Sequence, residues 1–345
     1  MIFPFIVINI AVLTKSYRHV LFIGIVFISH QLYAQTRYSE IYGKVVDMNS
    51  GKPLPNVDVF ISGTTLGAAT DENGNFKIVS ITEGTKSIVA STVGYDPSVK
   101  TVTAAEGRSY NVDFELEQKT YEMGTVEVFA KAAGEWKNDL TIFKNFFLGY
   151  TDFSKECKIE NEVTINFVHT DEGNLDAICP EPLIIANYAL GYKIICILLN
   201  FSCNNLTGEV RYLYYPQFLQ LNAGNDSIKH VWEENRKISY LNSFKRFLKY
   251  LVSADHKTNE YVIRNNMQDS SYLHYSKEDK NYVLSFEKYL YVDNNVTGDR
   301  GWLYLPNKTA VIDKNGSLVN PMSILTLGSF AEQGIANLLP DNYNP

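Results

Sequence analysis

Between Ile41 and Gln118 short apolar runs alternate with turn clusters, and no segment there keeps a helical period. The runs are Ile41–Asp47, Val57–Ile61, Phe76–Ile81, Lys86–Val93, Val99–Thr103 and Tyr110–Leu116. The breaks are Asn49-Ser50-Gly51-Lys52-Pro53, the stretch from Gly63 to Gly67, and Asp71-Glu72-Asn73-Gly74. Gly and Asn at such points supply the positive φ that tight turns need. Side chains alternate along a strand, so Val57, Val59 and Ile61 share one face. Short strands with a turn about every 8–12 residues predict a β-sandwich of immunoglobulin-like size. Its expected core is Val45, Val57, Val59, Ile61, Phe76, Ile78, Ile88 and Phe114.

The stretch Gly43 to Tyr95 also carries a motif series: Gly43, Asp47, Gly51-Lys52-Pro53-Leu54-Pro55, Gly63-Thr64, Thr70-Asp71, Gly74, Phe76 and Gly94-Tyr95. In these residues the segment resembles the carboxypeptidase-like regulatory domain family. One departure is Ala68-Ala69, where the family often has a β-branched or hydroxyl residue. The resemblance implies a transthyretin-like β-sandwich that works as an accessory module without catalytic residues. Such modules follow the catalytic domain of some metallocarboxypeptidases, precede the plug of many TonB-dependent outer-membrane transporters, and occur in stand-alone envelope proteins. Met123–Ala130 resembles the short segment that follows the domain in those transporters. The remainder of the chain lacks the sustained amphipathic strand repeats of a membrane barrel.

Residues 1–34 read as an export signal. Lys15 and Arg18 form a basic region, Val20–Ser29 an apolar stretch, and Ala34 offers a small residue for cleavage before Gln35. The ten-residue apolar run is too short for a bilayer, which needs about 20 residues. An apolar block, Met1–Thr14, precedes the basic region, which a start near Leu13 would explain. Together with the family resemblance, which implies an outer-membrane or envelope setting, the expected localisation is the periplasm or the outer membrane of a Gram-negative type envelope. The net charge is −7, and losing Lys15 and Arg18 deepens it. A chain this acidic has no electrostatic footprint for nucleic acid.

The second half reads as a β-rich α+β domain. Asp139–Leu148 has helical spacing with Gly149 as a stop, and His230–Ser253 is the strongest helix signal. Tyr192–Phe201, apolar on both faces, reads as a buried central strand. Tyr (23) and Phe (19) outnumber Trp (3), as strands favour. The expected organisation is a signal at 1–34, the sandwich at 36–119, a linker at 120–135 and the second domain at 136–345. That last region is similar to an uncharacterised region of stand-alone envelope proteins, through Phe146-Phe147-Leu148-Gly149, Cys157-Lys158-Ile159, Leu190-Gly191-Tyr192-Lys193-Ile194, Trp232 and Arg236. That resemblance brings no known chemistry.

His169-Thr170-Asp171-Glu172 followed by His274 imitates the zinc ligands of a metallocarboxypeptidase, where two imidazoles and a carboxylate leave one position open. Glu278, Glu287 and Glu332 are the available general bases, none in a recognisable context. The module order is also reversed, and His169 enters an ordinary polar turn. Asp71–Asn75 has the flavour of a calcium loop, but it lacks the closing acid and reads as a hairpin. Cys157, Cys179, Cys196 and Cys203 admit three pairings or none. Nucleophile-elbow, phosphate-loop and dinucleotide fingerprints are absent from the sequence. Two aromatic groups, Arg211–Tyr215 and the set Tyr282, Tyr289 and Tyr291, fit either sheet packing or a sugar or peptide partner. Asp226-Ser227-Ile228 matches a short O-glycosylation pattern.

The expectation is a non-enzymatic accessory or binding protein of the envelope, possessing no catalytic, cofactor or metal residues. Its partner would be an envelope protein, polysaccharide or peptide, in outer-membrane uptake or envelope assembly. The alternative is a zinc-dependent carboxypeptidase-type hydrolase using His169, Glu172 and His274.

Overall fold

The computed structural model describes residues 38–119, 133–204, 206–253, 259–265, 272–278 and 280–345. The export segment and Met123–Ala130 lie outside the described residues. The molecule is mainly β, and Tyr38–Pro345 forms one compact unit. Among the described residues there are three large apolar cores and one small cluster.

The first core belongs to a sandwich of β1 (Ser39–Asp47), β2 (Asp58–Ile61), β3 (Gly67–Ala69), β4 (Asn75–Ile81), β5 (Gly84–Ser91), β6 (Ser98–Ala104), β7 (Ser109–Asn111) and β8 (Phe114–Leu116). One sheet runs β4-β1-β7 with β8 also on β1, and the other runs β3-β2-β5-β6. All eight residues expected in the core are buried. The motif residues are explained by contacts at the sandwich edge. Asp47 accepts hydrogen bonds from the Ser50 backbone N–H at 2.7 Å, the Tyr95 hydroxyl at 2.9 Å and Gln118 Nε2 at 3.1 Å. A Cβ at Gly43 would lie 2.1 Å from the Val112 carbonyl oxygen, so only glycine lets β1 meet that loop.

The second core lies under a six-stranded antiparallel sheet. Its strands are β9 (Cys157–Ile159), β10 (Asn166–His169), β11 (Leu175–Ile178), β12 (Leu183–Asn187), β13 (Tyr192–Asn204) and β14 (Glu209–Gln220), in the order β10-β11-β13-β12-β9 with β14 on β13. The expected central strand is β13, flanked by β11 and β12 on one side and β14 on the other. Helix α1 (Ala133–Leu148) lays Leu140, Phe143, Phe147 and Leu148 on one face. It begins inside the expected 120–135 linker. The short helix α2 (Asp152–Lys155) follows.

The expected helix His230–Ser253 is two helices, α3 (Asp226–Asn242) and α4 (Phe244–Val252). Ser243 takes an extended ψ of 139°, and its hydroxyl accepts from Arg246 N at 3.1 Å, capping α4. Serine competes for backbone donors in this way, which the apolar spacing alone does not register. From α3, Trp232, Asn235 and Arg236 reach the β12–β13 turn and donate to the carbonyls of Tyr188 at 2.6 Å, Ala189 at 2.8 Å and Leu190 at 2.7 Å. The sequence pieces around Leu190-Gly191 and Trp232-x-x-x-Arg236 thus form one clamp.

The third core joins α4 to β15 (Tyr261–Asn265), β16 (Leu273–Ser276), β17 (Asn281–Ser285), β18 (Leu290–Asn294), β19 (Arg300–Tyr304), β20 (Thr309–Ile312) and β21 (Leu325–Gly328). These strands form a four-stranded sheet, β15-β18-β19-β21, and a three-stranded one, β16-β17-β20. The described region after residue 136 therefore holds two large apolar cores.

The sandwich docks on β14. Gly63 N donates to Pro216 O at 2.7 Å and Phe218 N to Thr64 O at 3.0 Å, while Phe60 and Val89 pack on Ile197. Asp341 N donates to Gly63 O at 2.6 Å, and Asn342 Nδ2 donates to Thr65 Oγ1 at 2.8 Å.

Candidate functional site

The structure does not bring the His169, Glu172 and His274 set together. His169 ends β10, and its Nε2 lies 3.0 and 3.1 Å from the two oxygens of Asp139 on α1. Glu172 is exposed in the following turn, and His274 is exposed on β16, in another sheet. Among the described residues no group of three or more His, Cys, Asp or Glu is placed to hold a metal. Asp139 is buried while the His169 side chain is 58% exposed, so the pair ties the helix to the sheet at its rim.

Asp71 spends its carboxylate inside the hairpin turn, accepting from Asn73 N at 2.9 Å and Asn75 N at 2.8 Å. The Asn75 backbone bond is the main reason its carboxyl is held below the ordinary range. All four cysteines are free. Burial pushes the thiols of Cys157 and Cys179 up to about 12 and that of Cys203 to about 11. Such thiols stay protonated and make poor nucleophiles. Asp226, Ser227 and Ile228 form the exposed first turn of α3, capped by Asn225 Oδ1.

The aromatic groups divide. Tyr212 and Tyr214 stand edge-on to Phe147 of α1, and Tyr215 packs against the Phe60, Val89 and Ile197 cluster. That first group is sheet packing. Tyr282 pairs with Tyr275 at 5.0 Å on the three-stranded sheet, apart from Tyr289 and Tyr291.

Tyr289 and Tyr291 meet two rings that the sequence reading passed over, Trp302 and Tyr304. Leu290 pairs with Leu303 and Tyr291 with Trp302 across β18 and β19. Alternation then sends Leu290, Val292, Leu303 and Leu305 into the third core, all buried. The intervening residues go to the opposite face. Ring centroids lie 6.3 Å apart for Tyr291 and Trp302, 5.7 Å for Tyr289 and Tyr304, and 6.4 Å for Tyr289 and Tyr291. The result is a two-by-two array of rings. Tyr289, Tyr291 and Tyr304 remain 38–39% exposed.

The array has firm edges. Leu325 and Leu327 of β21 pair with Tyr304 and Trp302. A Cβ at Gly328 would lie 2.9 Å from Trp302 Cζ3, so the glycine lets the indole lie against the β21 end. On the other side Arg264 of β15 pairs with Tyr291, and the next rung carries Asp293 and Arg300. Arg264 forms an ion pair with Asp293, while Arg300 Nε stays 3.7 Å from that carboxylate and its side chain is 78% exposed. The signal for Trp302 and Tyr304 was in the sequence. Tyr289-Leu290-Tyr291-Val292 and Gly301-Trp302-Leu303-Tyr304 alternate alike on either side of the turn Asn294-Asn295-Val296-Thr297-Gly298-Asp299.

Residues 41–128 match the model of the family described as CarboxypepD_reg-like domain, as the motif series in that stretch predicts. No curated protein matches the chain. Among solved structures, the pilus 2b backbone protein of group B streptococcus aligns at 17% identity over 24% of this chain and 41% of its own, with a TM-score of 0.20. The minor pilin of Streptococcus agalactiae aligns at 18% identity over 25% and 45%, with a TM-score of 0.21. Catechol 1,2-dioxygenase from an Acinetobacter species aligns at 12% identity over 26% and 55%, with a TM-score of 0.22. Each alignment spans less than two thirds of the structure matched.

Proposed function

We propose that this protein, whose residues 41–128 match the CarboxypepD_reg-like domain family, is an exported, non-enzymatic accessory protein of the cell envelope. In this reading the sandwich is a rigid mount docked on β14, and the third core presents the binding surface. One observation carries it. His169 and Asp71 are occupied in holding the fold and Glu172 and His274 lie exposed and apart, whereas the rings on and beside β18 and β19 face away from the third core, with Tyr289, Tyr291 and Tyr304 38–39% exposed. The basic, apolar and small-residue order of residues 1–34 supports export. No helix among the described residues is long and apolar enough to cross a membrane.

The test is fractionation of cells producing the full chain, with N-terminal sequencing and metal analysis of the purified product. The expected product starts at Gln35, partitions with the periplasm or outer membrane, and holds no stoichiometric zinc. Intact precursor in the cytosol would remove the export reading. One zinc per chain, lost on His169→Ala, would favour the hydrolase.

A further inference from the structure

From the geometry of the β18–β19 face we infer that it is a binding site for a polysaccharide bearing carboxylate groups. The inference rests on the reading of this protein as a binding protein and names the ligand class.

Tyr291, Trp302 and Tyr304 sit on two adjacent strands of a hydrogen-bonded sheet, which fixes their backbone positions, and Tyr289 immediately precedes the first of these strands. Their centroids are 5.7–6.4 Å apart, so together they make a platform larger than one ring. An aromatic face carries negative charge density, and the positively polarised C–H groups on a pyranose face complement it. A platform of several rings suits a chain of sugar units over a single small molecule. Tyr and Trp have few rotatable bonds, so little ordering entropy is lost when they are covered. Gly328 and Leu327 further restrain Trp302.

The rim selects the charge. Two guanidinium groups, Arg264 and Arg300, share the single carboxylate of Asp293. Arg264 is engaged with it, but Arg300 is too far for a direct hydrogen bond at 3.7 Å. Arg300 therefore has donors free for a planar, bidentate acceptor, and a carboxylate matches its fork. One positive charge is left over beside the platform, on a chain whose net charge is −7. An acidic polymer is repelled by most of such a surface and finds attraction at this rim, so the charge fixes where it lies as well as how strongly it binds. A uronic-acid polymer offers both features, an apolar ring face to stack and a carboxylate for Arg300.

The experiment is native affinity electrophoresis of the purified full-length mature protein through gels containing polygalacturonate or dextran. Retardation is expected in polygalacturonate and weaker or absent in dextran. Trp302→Ala and Tyr304→Ser should each weaken binding by about tenfold or more, as loss of a central aromatic contact does. Arg300→Gln should abolish the preference for the acidic polymer and flatten the dependence on salt. Melting curves accompany each variant, and should Trp302→Ala unfold the protein, the exposed Tyr304→Ser decides. Absence of retardation in both gels, equal retardation in both, or retardation unchanged by the ring variants would overturn the assignment. So would a dimer in sedimentation analysis that dissociates on Tyr304→Ser, since the face would then be occupied by a second copy. These measurements use purified protein, so failure removes the ligand while the fractionation result stands or falls separately.

Discussion

Asp47 shows how a family motif turns into a physical constraint. Its carboxyl is drawn down to about 2, first by the Ser50 backbone N–H, then by the Ser50 and Tyr95 hydroxyls. In the unfolded chain it returns to its ordinary value of 3.8. Because the folded value is the lower one, the stabilisation is fully present above about pH 5. It is lost as pH falls through the window toward 2. Asp47→Asn should therefore lower the melting temperature at pH 7, and the gap from the unaltered protein should close between pH 5 and 2. Thermal melts at several pH values test this; a gap independent of pH would show that the carboxylate's charge is not what Ser50 and Tyr95 hold. The motif in the sequence located Asp47 and Tyr95, but not that they touch across 48 residues.

At the scale of elements, the β12–β13 turn and α3 behave as one part. Gly191 has φ +70°, and a Cβ there would lie 2.2 Å from the Trp232 ring. Gly191→Ala meets two penalties, a left-handed backbone and a clash, together about 2–4 kcal/mol. In a Trp232→Ala background only the backbone penalty remains, about 1 kcal/mol. Urea unfolding of the two single variants and the double variant should thus be non-additive. Additive effects would mean that the turn and α3 do not share this contact. The Gly191 and Trp232 pieces were legible in the sequence as separate signals. Their meeting was not, because 40 residues of chain return α3 to the turn, and periodicity reports only which face of an element is apolar. The break at Ser243 was hidden for a related reason: the apolar spacing runs through it, and the cap depends on one local hydroxyl.

At the scale of the molecule, the sandwich has its own core and an additional docked face. All fourteen buried members of that core lie between Ile41 and Leu116. A fragment from Thr36 to Lys119 is expected to fold alone, with no response to reductant because all four cysteines lie outside it. It should nonetheless melt below the sandwich in the whole chain. Phe60 and Val89 lose Ile197 and Tyr215, and Gly63 and Thr64 lose their bonds to β14. Circular dichroism melts of the fragment and the full chain test this. A fragment unfolded at 25 °C would mean that docking supplies indispensable stability.

The sequence by itself determined the sandwich, its core positions, the helix α1 and the central strand β13. Those features are local: a period of two or of 3.6, glycine where φ is positive, a turn residue where the chain reverses. It also presented every ring of the candidate site at alternate positions. Only the tertiary structure decided what those residues do. Pairing of β18 with β19 placed Tyr289, Tyr291, Trp302 and Tyr304 side by side, while α1 and the docked sandwich covered the equally aromatic Tyr212, Tyr214 and Tyr215. The two groups are alike as strings of residues. Whether a sheet face is buried or open depends on which other elements pack against it, and that information lies far away along the chain.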